Sequence, residues 1–143
     1  RPRSYYFATQ VKAMPIVAAF VKARAFFPTP IKAVTRYVDG TLPVPGSPRV
    51  VFTPGHTLGH CSFHLPERDA VIAGDALVTL NPYRGTTGPQ IVAGGATADS
   101  ERNLASLDAL VQTGATTVLP GHGEPWLEGV ESAVAKARAV GAN

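Results

Sequence analysis

Residues 50–60 read Val-Val-Phe-Thr-Pro-Gly-His-Thr-Leu-Gly-His, a short apolar run followed by a sharp turn. The run from Val50 to Phe52 has the β-branched and aromatic composition of a buried strand. Pro54 and Gly55 force the backbone to turn, so His56 is presented just beyond the strand end. An imidazole held in this way is well placed to bind zinc, although a single histidine in a loop is more often an ordinary surface residue.

Two further turns follow the same plan. Asp75 comes directly after the apolar run Ala70–Ala73, and His122 lies in a Gly-rich turn after the run Thr116–Leu119. An acidic residue in such a place caps the chain, faces water or binds a cation. Because strand ends can converge on one edge of a sheet, the three turns together predict a cluster of two imidazoles and one carboxylate.

The C-terminal half alternates between strands and helices, which is typical of an α/β protein. A further strand is predicted at Cys61–Leu65, and residues 78–98, rich in Gly and Pro, are interpreted as a long irregular loop. Asp99 is predicted to cap a helix, and a closing helix is predicted to begin at Pro125.

The N-terminal part has a helical rather than a strand-like spacing of apolar residues. Apolar residues recur at helical spacing from Val11 to Phe27, and Pro28 and Pro30 are expected to end the helix. We therefore expect one partial domain, in which residues 1–40 form a helical linker region and residues 41–143 hold the metal motifs.

Composition excludes several classes of protein. A chain of 143 residues with 45% hydrophobic residues can bury one core, and a net charge of +3 without long charge runs gives no reason to expect nucleic acid as a partner. Cys61 is the only cysteine, so no intrachain disulfide can form and a cytoplasmic location is expected. No apolar run has the length of a membrane span. A membrane-surface role remains a weaker alternative for the basic residues Lys12, Lys22, Arg24, Lys32 and Arg36.

Taken in order, the motifs Thr-Pro-Gly-His-Thr-x-Gly-His, Gly-Asp and Gly-His resemble the metallo-β-lactamase superfamily. The resemblance covers residues 38–126 and includes the run from Gly121 to Trp126. It implies an α/β (α+β) fold, the four-layer αββα sandwich, of which this chain supplies mainly the C-terminal half.

The resemblance also implies roles for individual residues. His56 would bind a first metal and His122 a second, while Asp75 would bridge both and take part in catalysis. The two ions, expected to be zinc with iron or manganese as alternatives, would share a hydroxide that attacks an ester, thioester or lactone carbonyl of a small molecule, as in glyoxalase II and metal-dependent lactonases. His60 would support the turn without binding metal directly.

One part of the family pattern is missing. The family's His-x-His-x-Asp-His run has no counterpart, since no histidine precedes His56. With the absence of an initial Met, this suggests a truncated hydrolase that is inactive as an isolated chain. The alternative is a protein that binds a single metal without turnover.

The residues that bind substrate stay unknown, since Tyr83 and Arg84 are equally consistent with an exposed loop tip. The oligomeric state also stays open. His64 and Cys61 are interpreted as structural.

Overall fold

The computed structural model describes residues 14–25, 30–34 and 40–142. The chain divides into two compact units, residues 1–37 and 38–143.

In the first unit, helix α1 spans Met14–Lys22, which confirms a helix inside the predicted range of 11–27. Its expected continuation to Phe27 is wrong, because Arg24 adopts a left-handed conformation (φ 56°) and Ala25 N–H closes the helix end on the Phe20 carbonyl at 2.9 Å. Residues 11–13 and 26–29 lie outside the described part, and the linker role of residues 1–40 stays a prediction.

The second unit contains a four-stranded sheet and a two-stranded hairpin. The four strands predicted from apolar runs are confirmed in the larger sheet, and their ends shift by at most one residue. In chain order, the six strands are β1 (Arg49–Phe52), β2 (Cys61–Leu65), β3 (Ala70–Gly74), β4 (Val78–Leu80), β5 (Thr87–Gln90) and β6 (Thr117–Pro120).

The order of strands in the larger sheet is β1-β2-β3-β6. Strand β2 is antiparallel to both β1 and β3, whereas β6 is parallel to β3. It follows that β1, β3 and β6 run in the same direction and end at the same edge of the sheet. The turns that follow these three strands are the ones that carry His56, Asp75 and His122.

Three helices accompany the sheet: α2 (Ser100–Ser106), α3 (Asp108–Val111) and α4 (Val130–Val140). Helix α2 begins at the predicted cap, since the Asp99 side chain accepts a hydrogen bond from Arg102 N–H. The helices and one sheet face share a core in which each fully buried leucine or valine contributes about 1.5–3 kcal/mol. Its fully buried large members include Val71, Leu77, Ile91, Leu107, Leu110 and Val118.

The closing helix starts later than predicted. Its first residue is Val130 rather than Pro125. Trp126 is the reason, because its N–H and C=O pair with the C=O and N–H of Val118 at 2.9 and 2.8 Å, which extends the chain alongside β6. Gly129, with a positive φ of 85°, then turns the backbone into the helix.

The interpretation of residues 78–98 as irregular is also corrected. The segment contains the antiparallel pair β4 and β5. Buried Gln90 explains why a Gly- and Pro-rich segment forms a hairpin, since its side-chain amide donates to the carbonyls of Thr86 and Gly88 and its oxygen accepts from the Thr86 hydroxyl.

The second face of the four-stranded sheet is apolar but less covered. Phe63 and Ile72 are paired across β2 and β3 on this face, and Ile72 is 38% exposed. The segment from Leu42 to Pro48 lines a shallow groove beside them. Helices on one face of a mixed sheet agree with the α/β class predicted from the sequence.

In the described part of the chain, no helix has the length and apolar character needed to cross a bilayer.

Hydrogen bonds of Asp69 connect the start of β3 with the start of β6. Its carboxylate accepts hydrogen bonds from the Thr116 hydroxyl at 2.5 Å and from Thr116 N–H at 3.1 Å, and its carbonyl accepts from Thr117 N–H. The two bonds from Thr116 lower the pKa of Asp69 below its ordinary value. A carboxyl whose pKa is lowered by folding stabilises the fold above its unfolded pKa, and this contribution disappears as pH falls through the folded value.

We expect Thr116→Val to raise the pKa of Asp69 towards the ordinary value of about 3.9, because the hydroxyl donor is lost. The variant should also lower Tm more at about pH 7 than at about pH 3, where the native contribution is already partly lost. Carboxyl carbon NMR titration and thermal melts measure the two effects. Thr117→Val, one residue along β6, is the control. A Tm difference that does not change with pH would contradict this role of Asp69.

Candidate metal site

The ends of β1, β3 and β6 bring His56, Asp75 and His122 together, as their places in strand-end turns predict. His56 Nε2 lies 3.4 Å from Asp75 Oδ2, and His122 Nε2 lies 3.4 Å from Asp75 Oδ1. Each carboxylate oxygen therefore faces one imidazole. The side chains of His56 and Asp75 are 19% and 29% exposed, whereas His122 is 45% exposed, so the site opens to solvent on the His122 side.

The spacing of these atoms fits metal ligands better than a direct ion pair. A charge-assisted hydrogen bond brings nitrogen and oxygen to about 2.7–2.9 Å. Zinc bonds of about 2.1 Å at a tetrahedral angle place the two ligand atoms about 3.4 Å apart. Nε2 is the ring nitrogen of His56 that faces the carboxylate, and its Nδ1 is buried without a hydrogen-bond partner in the described part of the chain. Two imidazoles and one carboxylate could thus hold two ions on either side of Asp75.

The loop that carries His56 rests directly on helix α2. A Cβ atom at Gly55, whose φ is 146°, would overlap the backbone of Asn103. The carbonyls of Gly55 and His56 accept hydrogen bonds from Asp99 N–H and Ala98 N–H at 3.0 and 3.1 Å. Gly55 is therefore required for close approach as well as for the turn.

A second glycine packs against the carboxylate. Gly121 N–H donates to the Gly74 carbonyl at 2.8 Å, and a Cβ at Gly121 would overlap Asp75 Oδ1. The His122 carbonyl accepts hydrogen bonds from Thr79 N–H and Leu80 N–H. This loop is therefore fixed by the ends of β3 and by β4.

His60 lies beside the site at the start of β2. Its Nδ1 is 2.9 Å from the Thr53 hydroxyl, which is 2.8 Å from the Ser62 hydroxyl, and Ser62 donates to the Ala73 carbonyl at 3.1 Å. Because a carbonyl can only accept, Ser62 gives its proton to Ala73, Thr53 gives its proton to Ser62, and His60 must donate from Nδ1. The chain of hydrogen bonds fixes His60 as the Nδ1–H tautomer.

The lone pair on His60 Nε2 then points towards the Gly74-Asp75 turn, where a Cβ at Gly74 would lie 3.0 Å from it. Burial lowers the pKa of His60 below its ordinary value, and the neighbouring His56 adds to the shift. Both effects favour the neutral imidazole, and the role of His60 as a support for the turn stays a prediction.

Other residues singled out in the sequence lie elsewhere. His64 is in β2 opposite Arg49, and Cys61 is half-buried at the start of the same strand. Tyr83 is 60% exposed in the turn between β4 and β5. Sequence reasoning missed Asn103, a fully buried polar residue in the helix that Asp99 was predicted to cap.

The number of ligands is small for a complete site. Among the residues that the structure describes, no three His, Cys, Asp or Glu side chains are placed to hold one ion. Outside that part, the sequence offers Asp39 and no further His or Cys. Each candidate metal position thus has one imidazole and one carboxylate oxygen from this chain.

Comparison with known proteins connects this arrangement to a family. The sequence profile of the metallo-beta-lactamase superfamily matches residues 2–122. A solved structure of TTHA1623 in a di-iron-bound form superposes with a TM-score of 0.51 and 32% identity, covering 83% of this chain and 58% of that one.

Two curated relatives match shorter stretches. An atrochrysone carboxyl ACP thioesterase of Aspergillus fumigatus is 36% identical over 75 residues, which are 52% of this chain and 20% of that protein. A hydroxyacylglutathione hydrolase of Hyphomonas neptunium is 52% identical over 31 residues, 22% of this chain and 12% of that protein. The chain thus spans about a fifth or less of these curated relatives.

We expect Ser62→Ala to release the tautomer of His60. Without the Ser62 hydroxyl, Thr53 is free to donate to His60 Nδ1, so the ring can adopt the Nε2–H form. Long-range nitrogen–proton NMR of chain labelled with ¹⁵N-histidine distinguishes the two forms. Ser132→Ala removes the hydroxyl that accepts from Trp126 Nε1 and serves as the matched control. An Nε2–H form of His60 in the wild-type chain would contradict the assignment.

Proposed function

The chain belongs to the metallo-beta-lactamase superfamily, and on that premise we propose that it supplies one part of the metal site of a hydrolase. The observation that carries the proposal is the Asp75 carboxylate, with an imidazole nitrogen 3.4 Å from each of its oxygens. We assign His56 to one ion, His122 to the other, and Asp75 to both.

We propose zinc as the ion, because imidazole and carboxylate ligands at this spacing suit a tetrahedral zinc centre. Iron is the main competitor, since the same ligand types accept it and TTHA1623 has been solved with two irons. When bound, two divalent ions would lower the pKa of a water molecule and polarise a carbonyl group.

The residues of this chain prepare the site for that chemistry. His56 is held with Nε2 towards the carboxylate. Asp75 places its negative charge between the two imidazoles, where it would offset the charge of the ions. His122, nearly half exposed, leaves the approach from solvent open to a small molecule. Further ligands would come from outside this chain, because a catalytic zinc usually has three protein ligands.

For the substrate we propose a thioester, with esters and lactones as the wider class. One curated relative is named a thioesterase and the other a hydroxyacylglutathione hydrolase, and their matches fall on part of this chain. The resemblance of the sequence to glyoxalase II points to the same bond.

A second candidate function is metal binding without turnover. The small ligand set favours it for the isolated chain, since the described residues hold no group of three ligands for one ion. The two functions are separated by measuring bound metal and hydrolysis on the same sample.

We expect the isolated chain to bind Zn²⁺, and we expect His122→Ala and Asp75→Asn to weaken binding by more than about 100-fold, because loss of supporting residues alone costs about 10- to 100-fold in affinity. Isothermal titration with Zn²⁺, repeated with Fe²⁺ and Mn²⁺, measures the change. His64→Ala removes a histidine in β2 and is the matched control. Equal affinities in the wild type and Asp75→Asn would refute the ligand assignment.

Turnover is measured on the protein in the form its host produces, so that ligands from outside the 143 residues are present. The proposal predicts thioester hydrolysis that falls by more than about 100-fold in Asp75→Asn and persists in His64→Ala. Metal binding without hydrolysis of thioester, ester or lactone probes would favour the non-catalytic alternative.

A further inference from the structure

Asn103 is a polar side chain with no exposed surface, on helix α2. A buried amide is tolerated only when its polar atoms are hydrogen-bonded. Asn103 Oδ1 accepts a hydrogen bond from His56 N–H at 2.8 Å, and Asn103 Nδ2 donates to the Ala76 carbonyl at 2.7 Å. The first bond reaches the loop after β1, and the second reaches the residue that follows Asp75.

We propose that Asn103 is a positioning residue that sets the separation between His56 and Asp75. The inference rests on the proposed function, in which these two side chains share an ion. One amide group bonds to the backbone of His56 and to the residue next to Asp75, so movement of either loop along the sheet edge lengthens one of two short hydrogen bonds.

The surroundings of Asn103 make this amide rigid. Its own N–H donates to the Asp99 carbonyl at 3.0 Å within the first turn of α2. Gly55 packs so closely that a Cβ atom there would overlap the Asn103 backbone. These contacts join the helix, the amide and the His56 loop, and the bond from Asn103 Nδ2 to the Ala76 carbonyl connects them to the end of β3.

The two hydrogen bonds made by the Asn103 side chain require an amide at this position. One group must accept from an N–H and another must donate to a carbonyl, and Asn offers both on one short side chain. Leucine has a similar shape and neither function. The His122 loop depends on other partners, Gly74, Thr79 and Leu80, so loss of the Asn103 amide should act mainly on the His56 side of the carboxylate.

The test is a Zn²⁺ titration of the chain, followed by NMR of the ring resonances of His56 and His122 separately. In Asn103→Leu we expect the midpoint at His56 to rise by about 10-fold or more, with a clearly smaller change at His122. Leu107→Ala, which removes a fully buried side chain just after α2 and leaves both hydrogen bonds of the Asn103 side chain in place, should leave both midpoints unchanged although it destabilises the core. If Asn103→Leu does not fold, Asn103→Ala is used, since it deletes the same two bonds with less crowding.

The outcomes are distinct. A selective rise at His56 in the Asn103 variant supports the inference. Equal shifts at both histidines, the same shifts in Leu107→Ala, or no shift in the Asn103 variant overturns it and leaves the metal ligands in place. No response of either ring to Zn²⁺ in the wild type overturns the proposed function and, with it, any positioning role for Asn103.

Discussion

One constraint shapes the candidate site of the second unit: a single carboxylate must face two imidazoles that come from separate turns. Asp75 lies 3.4 Å from His56 on one oxygen and 3.4 Å from His122 on the other. Three strands must end at the same edge for this to happen, and the order β1-β2-β3-β6 provides those ends. Because the two imidazoles come from turns more than sixty residues apart in sequence, their convergence depends on the tertiary fold.

Close backbone packing fixes the positions of the two loops that carry His56 and His122. Gly55 lets the His56 loop rest on helix α2, and Gly121 lets the His122 loop rest against Asp75, since a side chain at either position would overlap its neighbour. The hydroxyl chain of Thr53 and Ser62 orients His60 behind the turn. Gly55 and Gly121 therefore allow the close packing that brings the two histidine loops to the Asp75 turn.

The larger sheet and the three residues at its edge could be predicted from local sequence. The apolar runs located β1, β2, β3 and β6, and the strand-end turns located His56, Asp75 and His122, because strand composition and turn residues act over a few neighbours. The hairpin β4–β5 was missed, since its stability comes from the buried Gln90 amide rather than from an alternating pattern. Helix α4 was placed too early, because the pairing of Trp126 with Val118 is a long-range contact. Asn103 was missed for the same reason: its partners are 47 and 27 residues away.

Anomalous diffraction at the zinc edge tests the proposed positions of the two metal ions most directly. Crystals of the chain grown with Zn²⁺ should give one anomalous peak between His56 Nε2 and Asp75 Oδ2 and a second between His122 Nε2 and Asp75 Oδ1. Two peaks about 3.5–4 Å apart would support two ions that share Asp75, and a single peak would support only the pair of ligands beside it. Zinc bound only elsewhere on the chain, with both positions empty, would contradict the account.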